Sequence, residues 1–279
     1  MNELIVGLLE VTRHTHKLTR ENSLLRQGLP PKLSRLIDDV DRIKELLEPR
    51  ETDVTVVFCD LRSYSKFVEE EDENLVSGWE KIASALNSIS RSITLCDGIV
   101  ARIQGDAVMG YWGWPDAQKT QVVDAGRAAL QIRAEFRSRN NLPRLKCGIG
   151  LAHGHAVVGR LGTHDLAEID LYGHVVNIAA RLECMTKAFG VDVLITEAVA
   201  NQLANIPQPI VEWRTRPLGK VRTRGMRNRV VVFELLPAGI PESKESVLAS
   251  WAQAIDWFSA GCWKEAYERL EAYFRDDSA

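Results

Sequence analysis

Four polar side chains, held by two short patterns and one helix-like segment, are the residues of this sequence best suited to chemistry. Asp60 stands at the end of the apolar run VTVVF, Val54 to Phe58, and Asp106 follows Gly105 in ARIQGDAVMGYW, Ala101 to Trp112. Alone, an acid after an apolar run reads as a helix cap, and a Gly-Asp pair as a hairpin turn. Together they put two carboxylates at neighbouring strand ends, where oxygen ligands can hold two hard divalent ions. Downstream, LYGHVVNIAARLE sets Asn177 and Arg181 one helical turn apart, on the same helix face. An amide and a guanidinium at that spacing can orient a ribose and neutralise charge developing on a phosphate; in isolation the same spacing describes a solvated face.

The elements that must position these residues follow from apolar periodicity. VTVVF predicts a strand ending at Asp60, followed by a polar helical segment through Ser92. GIVARI and AVMGYW predict a hairpin turning at Gly105 and Asp106. A helix over Gln121 to Arg137, a strand KCGIGLAHG, a helix VVNIAARLECMTKAF, and strands VDVLI and VVVFELL complete the central region. Strands and helices alternate without strict βαβ units, which predicts an α+β sheet with helices on one side. Before this region, KLSRLIDDVDRIKELLE carries a stripe from Leu33 to Leu47 that suits packing on its own domain or a two-chain coiled contact equally well. After Pro237 and Pro241, two amphipathic helices turn at Ser259, Ala260 and Gly261; their aromatic residues, among them Trp251, Phe258, Trp263 and Tyr267, are expected to pack the pair together or onto the main domain. The expected organisation is a helical extension over 1–50, a central domain over 51–237 and a helical pair over 238–279.

With 279 residues, 45% hydrophobic, 26% charged and a formal net charge of −3, the chain reads as a globular protein with a real core. The acidic balance lacks the basic footprint that nucleic acid or an anionic membrane surface requires, so neither is expected as a partner. No apolar run approaches bilayer length, and the opening MNELIVGLLE lacks a basic front and a cleavage site. The cysteines are scattered and form no CxxC pair, which fits a reducing, cytoplasmic setting. His153, His155, His164 and His174 lack companions at zinc spacing, and EEEDE, Glu69 to Glu73, reads as a solvated helix start.

Taken in order, VVFCDLRSYS, IQGDAVMGYWG, GIGLAHGHAVVG, YGHVVNIAARLE and RTRGMRNRVVVFEL make residues from about Asp53 to Leu236 resemble a class III nucleotide cyclase domain. The resemblance implies a ferredoxin-like sheet flanked by helices, acting as a homodimer with composite active sites. Asp60 and Asp106 match the family's metal-binding aspartates, with the backbone carbonyl of Leu61 assisting, and the implied cofactors are two divalent cations, Mg2+ or Mn2+. From the other subunit, Asn177 would position the ribose of a nucleoside triphosphate and Arg181 would meet charge on the transferring phosphoryl group. LRSYS, including Ser65, would begin a helix whose N–H groups face phosphate. Arg224 sits about where the family has a phosphate-binding lysine, with Arg227 a near alternative.

Four residues before the second aspartate, adenylate cyclases of the family carry lysine and guanylate cyclases glutamate, and both read the base. Here the position holds Arg102, and its partner position, seven residues before Asn177, holds Asp170. Arginine is longer than lysine and presents a planar fork of donors, leaving less room for a purine. Uracil and cytosine both offer edges that this pair can meet. Guanine offers acceptors to arginine too, and is disfavoured by size alone. The two side chains could also simply neutralise each other. A compact domain with helical additions and an altered base-reading pair is similar to the pyrimidine nucleotide cyclases of bacterial anti-phage Pycsar systems, which make cyclic UMP or cyclic CMP for a separate effector protein. Tyr64, where most of the superfamily has phenylalanine, could narrow the pocket further. The expectation is a pyrimidine nucleotide cyclase, UTP ahead of CTP. An adenylate cyclase is the alternative, and a catalytically silent nucleotide-binding module is the third reading.

Overall fold

The computed structural model describes Lys32 and residues 48–71, 74–138, 145–163, 167–206, 213–222, 229–239 and 242–276. The stripe from Leu33 to Leu47, His164, Arg224 and Arg227 lie outside the described residues. The chain divides into two compact units, Met1–Glu48 and Pro49–Ala279, and the second holds every element named below.

Its first half runs β1 (Arg50–Arg62), α1 (Tyr64–Glu70), α2 (Leu75–Leu95), β2 (Ile99–Gln104), β3 (Ala107–Trp112), α3 (Gln121–Arg137) and β4 (Lys146–Gly162). The second half runs β5 (Ala167–Tyr172), α4 (His174–Phe189), β6 (Val193–Thr196), α5 (Glu197–Ala204), β7 (Trp213–Val221) and β8 (Val230–Pro237), followed by α6 (Glu242–Ser259) and α7 (Trp263–Asp276). One eight-stranded sheet has the order β2-β3-β1-β4-β6-β8-β7, with β5 paired to β4 off this path. The β2-β3-β1-β4 portion, antiparallel throughout, is the ferredoxin-like arrangement.

β1 is an apolar run because both its faces are covered. Val57, Cys59 and Leu61 join the core beneath α2 and α3, where Ile82, Ala85, Ile89, Ala125, Ala128 and Ala129 are buried. Asn74 caps α2 by accepting a hydrogen bond from Ser77 N–H at 3.1 Å. On the opposite face α4 lies directly against β4. A Cβ on Gly150 would stand 2.1 Å from Ala179 O, and one on Gly148 would stand 2.5 Å from Glu183 Oε1, so glycine at both positions is what lets helix and strand touch.

Several boundaries differ from expectation. β1 does not stop at Asp60 but continues to Arg62, because Asp60 pairs with Ala107 on one side and Gly148 on the other. The strand expected over KCGIGLAHG runs on to Gly162, with β5 pairing along its other edge from Val157 onward while the ladder with β1 ends at Val158. The segment through Ser92 is two helices rather than one. Helices also cover both faces of the sheet, not one. Trp251 fastens α6 to the sheet: its indole N–H donates to Pro217 O at 2.7 Å, and the Arg216 guanidinium lies 5.1 Å from its ring centre. Phe258, Trp263 and Tyr267, expected to be packed, are 63–70% exposed. No helix among the described residues is long and apolar enough to cross a membrane.

Candidate active site

Asp60 and Asp106 meet where β1 passes the β2–β3 turn. Gly105 forms that turn with φ 62°, a left-handed conformation that glycine adopts without strain, and Leu61 N–H donates to Asp106 O at 3.2 Å. The two carboxyl groups lie within hydrogen-bonding reach of each other. Burial raises the Asp60 pKa from 3.8 to about 7, and the hydrogen bond and charge of Asp106 push in the same direction. Asp60 Oδ1 is buried without a hydrogen-bond partner among the described residues. Helix capping does not explain Asp60, because the residue preceding α1 is Ser63, at φ 64°.

α4 presents its two halves differently. Val175, Ala179, Leu182 and Thr186 are buried against the sheet. Asn177 and Arg181 fall on the opposite side of the helix, Asn177 exposed and bordering a cleft of about 320 Å³ with Leu171, Tyr172 and His174. A single chain therefore turns Asn177 and Arg181 away from the sheet face that carries Asp60. The structure brings the aspartates together and keeps the amide–guanidinium pair together, but it does not unite the two pairs in one chain.

Arg102 and Asp170 form an ion pair through Nη2 and Oδ1, with side chains 43% and 19% exposed, and Asp170 Oδ1 also accepts from Leu171 N–H at 2.8 Å. Tyr64 is placed elsewhere. Its ring packs with the core on the α2 and α3 side and lines an apolar cavity of about 460 Å³ with Phe67, Trp79, Ile82 and Ile103. Within one chain it does not narrow the space beside Arg102. Ser65 is exposed on α1. His155 bridges Glu51 and Asp53 at 3.2 and 3.1 Å, and His153 bonds Thr55 at 3.0 Å.

With this geometry in place, residues 47–236 match the family described as the Adenylate and Guanylate cyclase catalytic domain. The chain belongs to that family. The cyclase domain is 27% identical over 191 residues to Adenylate cyclase 1 of Rhizobium meliloti, covering 66% of this chain and 27% of the relative. It is 27% identical over 190 residues to an adenylate cyclase of Anabaena cylindrica, covering 65% of this chain and 36% of that protein. The chain thus spans little more than a third, at most, of these relatives' lengths. Among solved structures, a bacterial light-regulated adenylyl cyclase superposes with a TM-score of 0.67 at 22% identity, covering 88% of this chain and 69% of that one. The adenylyl cyclase CyaB from P. aeruginosa gives 0.57 at 22% identity, over 69% and 97% of the two chains. At these identities the structural matches speak for the shared fold.

The donor set of this cyclase domain fits divalent cations. Two close carboxylates, one with a buried unpartnered oxygen, repel each other until a cation or proton lies between them, and Mg2+ commonly takes one or two protein carboxylates with substrate phosphates supplying the rest. No group of three or more metal-binding side chains occurs among the described residues. Sequence reasoning missed Glu183. Its carboxylate occupies the space over Gly148, the β4 residue paired with Asp60; burial raises its pKa, Arg62 opposes that, and the Asp106 charge adds to it. The signal was the acid closing NIAARLE, which needed the β1–β4 register to be interpreted.

Proposed function

We propose that this cyclase domain converts a pyrimidine nucleoside triphosphate, UTP ahead of CTP, to the 3′,5′-cyclic monophosphate and pyrophosphate, as a homodimer with two shared sites. Asp60, Asp106 and the Leu61 carbonyl would hold two divalent cations, Mg2+ or Mn2+. When bound, such ions lower the pKa of a ribose 3′-hydroxyl and neutralise triphosphate charge. Because α4 points Asn177 and Arg181 away from its own aspartates, these residues serve the site of the second chain. There Asn177 orients the ribose, and Arg181 meets the charge on the α-phosphoryl group as the 3′-oxygen attacks and pyrophosphate leaves. Arg224 or Arg227 would hold the outer phosphates, with Ser65 and the start of α1 on the phosphate side.

The observation that carries the base choice is the Arg102–Asp170 pair. It offers adjacent donors and acceptors to a base edge. Uracil answers with a carbonyl and N3–H, cytosine with N3 and its amino group, and the length of arginine leaves less space for a second ring. A cyclic pyrimidine product suits a messenger read by a separate effector in anti-phage defence, the setting of the cyclases that this pair resembles. A second reading, adenylate cyclase with Arg102 in the role of lysine, is favoured by the names of the relatives from R. meliloti and A. cylindrica.

The test is incubation of purified protein with ATP, GTP, CTP or UTP and Mn2+, with products identified by mass spectrometry. Cyclic UMP or cyclic CMP as the main product supports the first reading. Cyclic AMP transfers the function to the second, and no product from any nucleotide leaves a binding module.

A further inference from the structure

We propose that Tyr111 is the floor of the base pocket beneath Arg102 and Asp170, and that its length sets how large a base the pocket accepts. The inference rests on the reading that Arg102 and Asp170 meet the base. Met109 pairs with Arg102 across β2 and β3, and Tyr111 follows two residues later on the same strand. Side chains two apart on a strand share a face, so Arg102, Met109 and Tyr111 point to one side of the sheet. Trp112 points to the other, where its indole N–H donates to Cys96 O at 2.7 Å.

The ion pair with Arg102 draws Asp170 over this same face. Tyr111 lies close enough to feel the Asp170 charge, which together with burial holds its phenol above the ordinary range. Tyr111 is 1% exposed and Met109 2%, and Val56, which pairs with Tyr111 on β1, is fully buried. The Trp114 ring stands 6.3 Å from that of Tyr111, tilted by 49°. Packed on these sides, the phenol ring has no room to swing away when a base enters, so its volume is a fixed limit on depth. With the ring fixed beneath the pair, this side chain sets how deep a base can enter once it parts the pair, and a size difference at an apolar wall is worth roughly tenfold or more in discrimination. Sequence patterning hides this role, because Tyr111 reads there as one more core residue of a buried strand.

The experiment measures KM and kcat for UTP and ATP with wild-type protein, Tyr111→Leu and Tyr111→Phe, each checked for folding by thermal melt. Shortening the side chain to leucine is expected to lower the ratio of KM for ATP to KM for UTP by about tenfold, with a smaller change in kcat. Phenylalanine, which keeps the ring, is expected to hold the ratio within about twofold of wild type. A folded Tyr111→Leu protein with an unmoved ratio overturns the assignment, as does a Tyr111→Phe protein that shifts as far as leucine. If Tyr111→Leu fails to fold, Tyr111→Met is read in its place. The wild-type preference tests the pyrimidine reading separately: an ATP-preferring wild type whose leucine variant still shifts towards the larger base sinks that reading and leaves the floor in place.

Discussion

Arg102 on β2 and Asp170 on β5 close an ion pair within one chain, joining two strands that share no backbone ladder. Lysine at position 102 keeps the charge but loses the planar fork and some reach. Arg102→Lys is expected to raise kcat/KM for ATP relative to UTP by roughly tenfold, about 1.4 kcal/mol of discrimination. Steady-state kinetics with both nucleotides measures it, and an unchanged ratio returns Arg102 to the role of a lysine substitute.

Asp60 and Asp106 share one site, so neither is replaceable by the other. Asp60→Ala and Asp106→Ala are each expected to lower kcat by about a hundredfold or more, the scale seen when a preorganised charge-stabilising group is removed. Retained far-ultraviolet circular dichroism separates this from unfolding. Substantial turnover by either variant would remove the pair from the chemistry.

Mixing two inactive proteins tests the shared site. Asp106→Ala lacks one half and Arg181→Ala the other, so a mixed dimer regains one intact site of two. Random exchange makes about half of the dimers mixed, and roughly a quarter of wild-type activity should return. No recovery after exchange is demonstrated means that each chain works alone.

The pKa of Asp60, raised from 3.8 to about 7 by burial and then by Asp106, links stability to pH. A carboxyl with a raised folded-state pKa contributes stability that is present below its unfolded value and lost as pH rises through the folded one. Without metal, the melting temperature should therefore fall between about pH 4 and pH 7, and Asp60→Asn should flatten the profile. Added Mg2+ or Mn2+ should restore stability at the upper end by favouring the ionised pair. A flat metal-free profile in the wild-type protein contradicts the buried pair.

Gly150 is a packing requirement rather than a turn. A methyl group there meets Ala179 O at 2.1 Å and Glu183 N at 2.3 Å, so α4 must lift from the strand. Gly150→Ala is expected to cost about 1–3 kcal/mol, measured by chemical denaturation, and to lower kcat by displacing Asn177 and Arg181.

The sequence shows the site and the fold unequally. The placement of Asp60, Asp106, Asn177 and Arg181 is legible because local rules govern it, an apolar strand, a hairpin turn and one helical repeat, whereas their roles come only from the resemblance of the motifs taken together. β7 is not legible, since WRTRPLGKV carries charges and a proline; it is an edge strand with a register shift between Pro217 and Gly219, where proline is tolerated. β5 is short and polar, paired to the far end of β4, and offers no apolar run. The position of Glu183 behind Asp60, and the nearness of Tyr111 to Asp170, depend on contacts between distant segments that no local pattern encodes.

Gly148 and Gly150 key α4 onto β4, the strand beside Asp60. Each chain therefore behaves as a stiff jaw. If two such jaws close on shared sites as proposed, turnover would depend on how they meet, and a small rotation of one against the other would open or close both bites together.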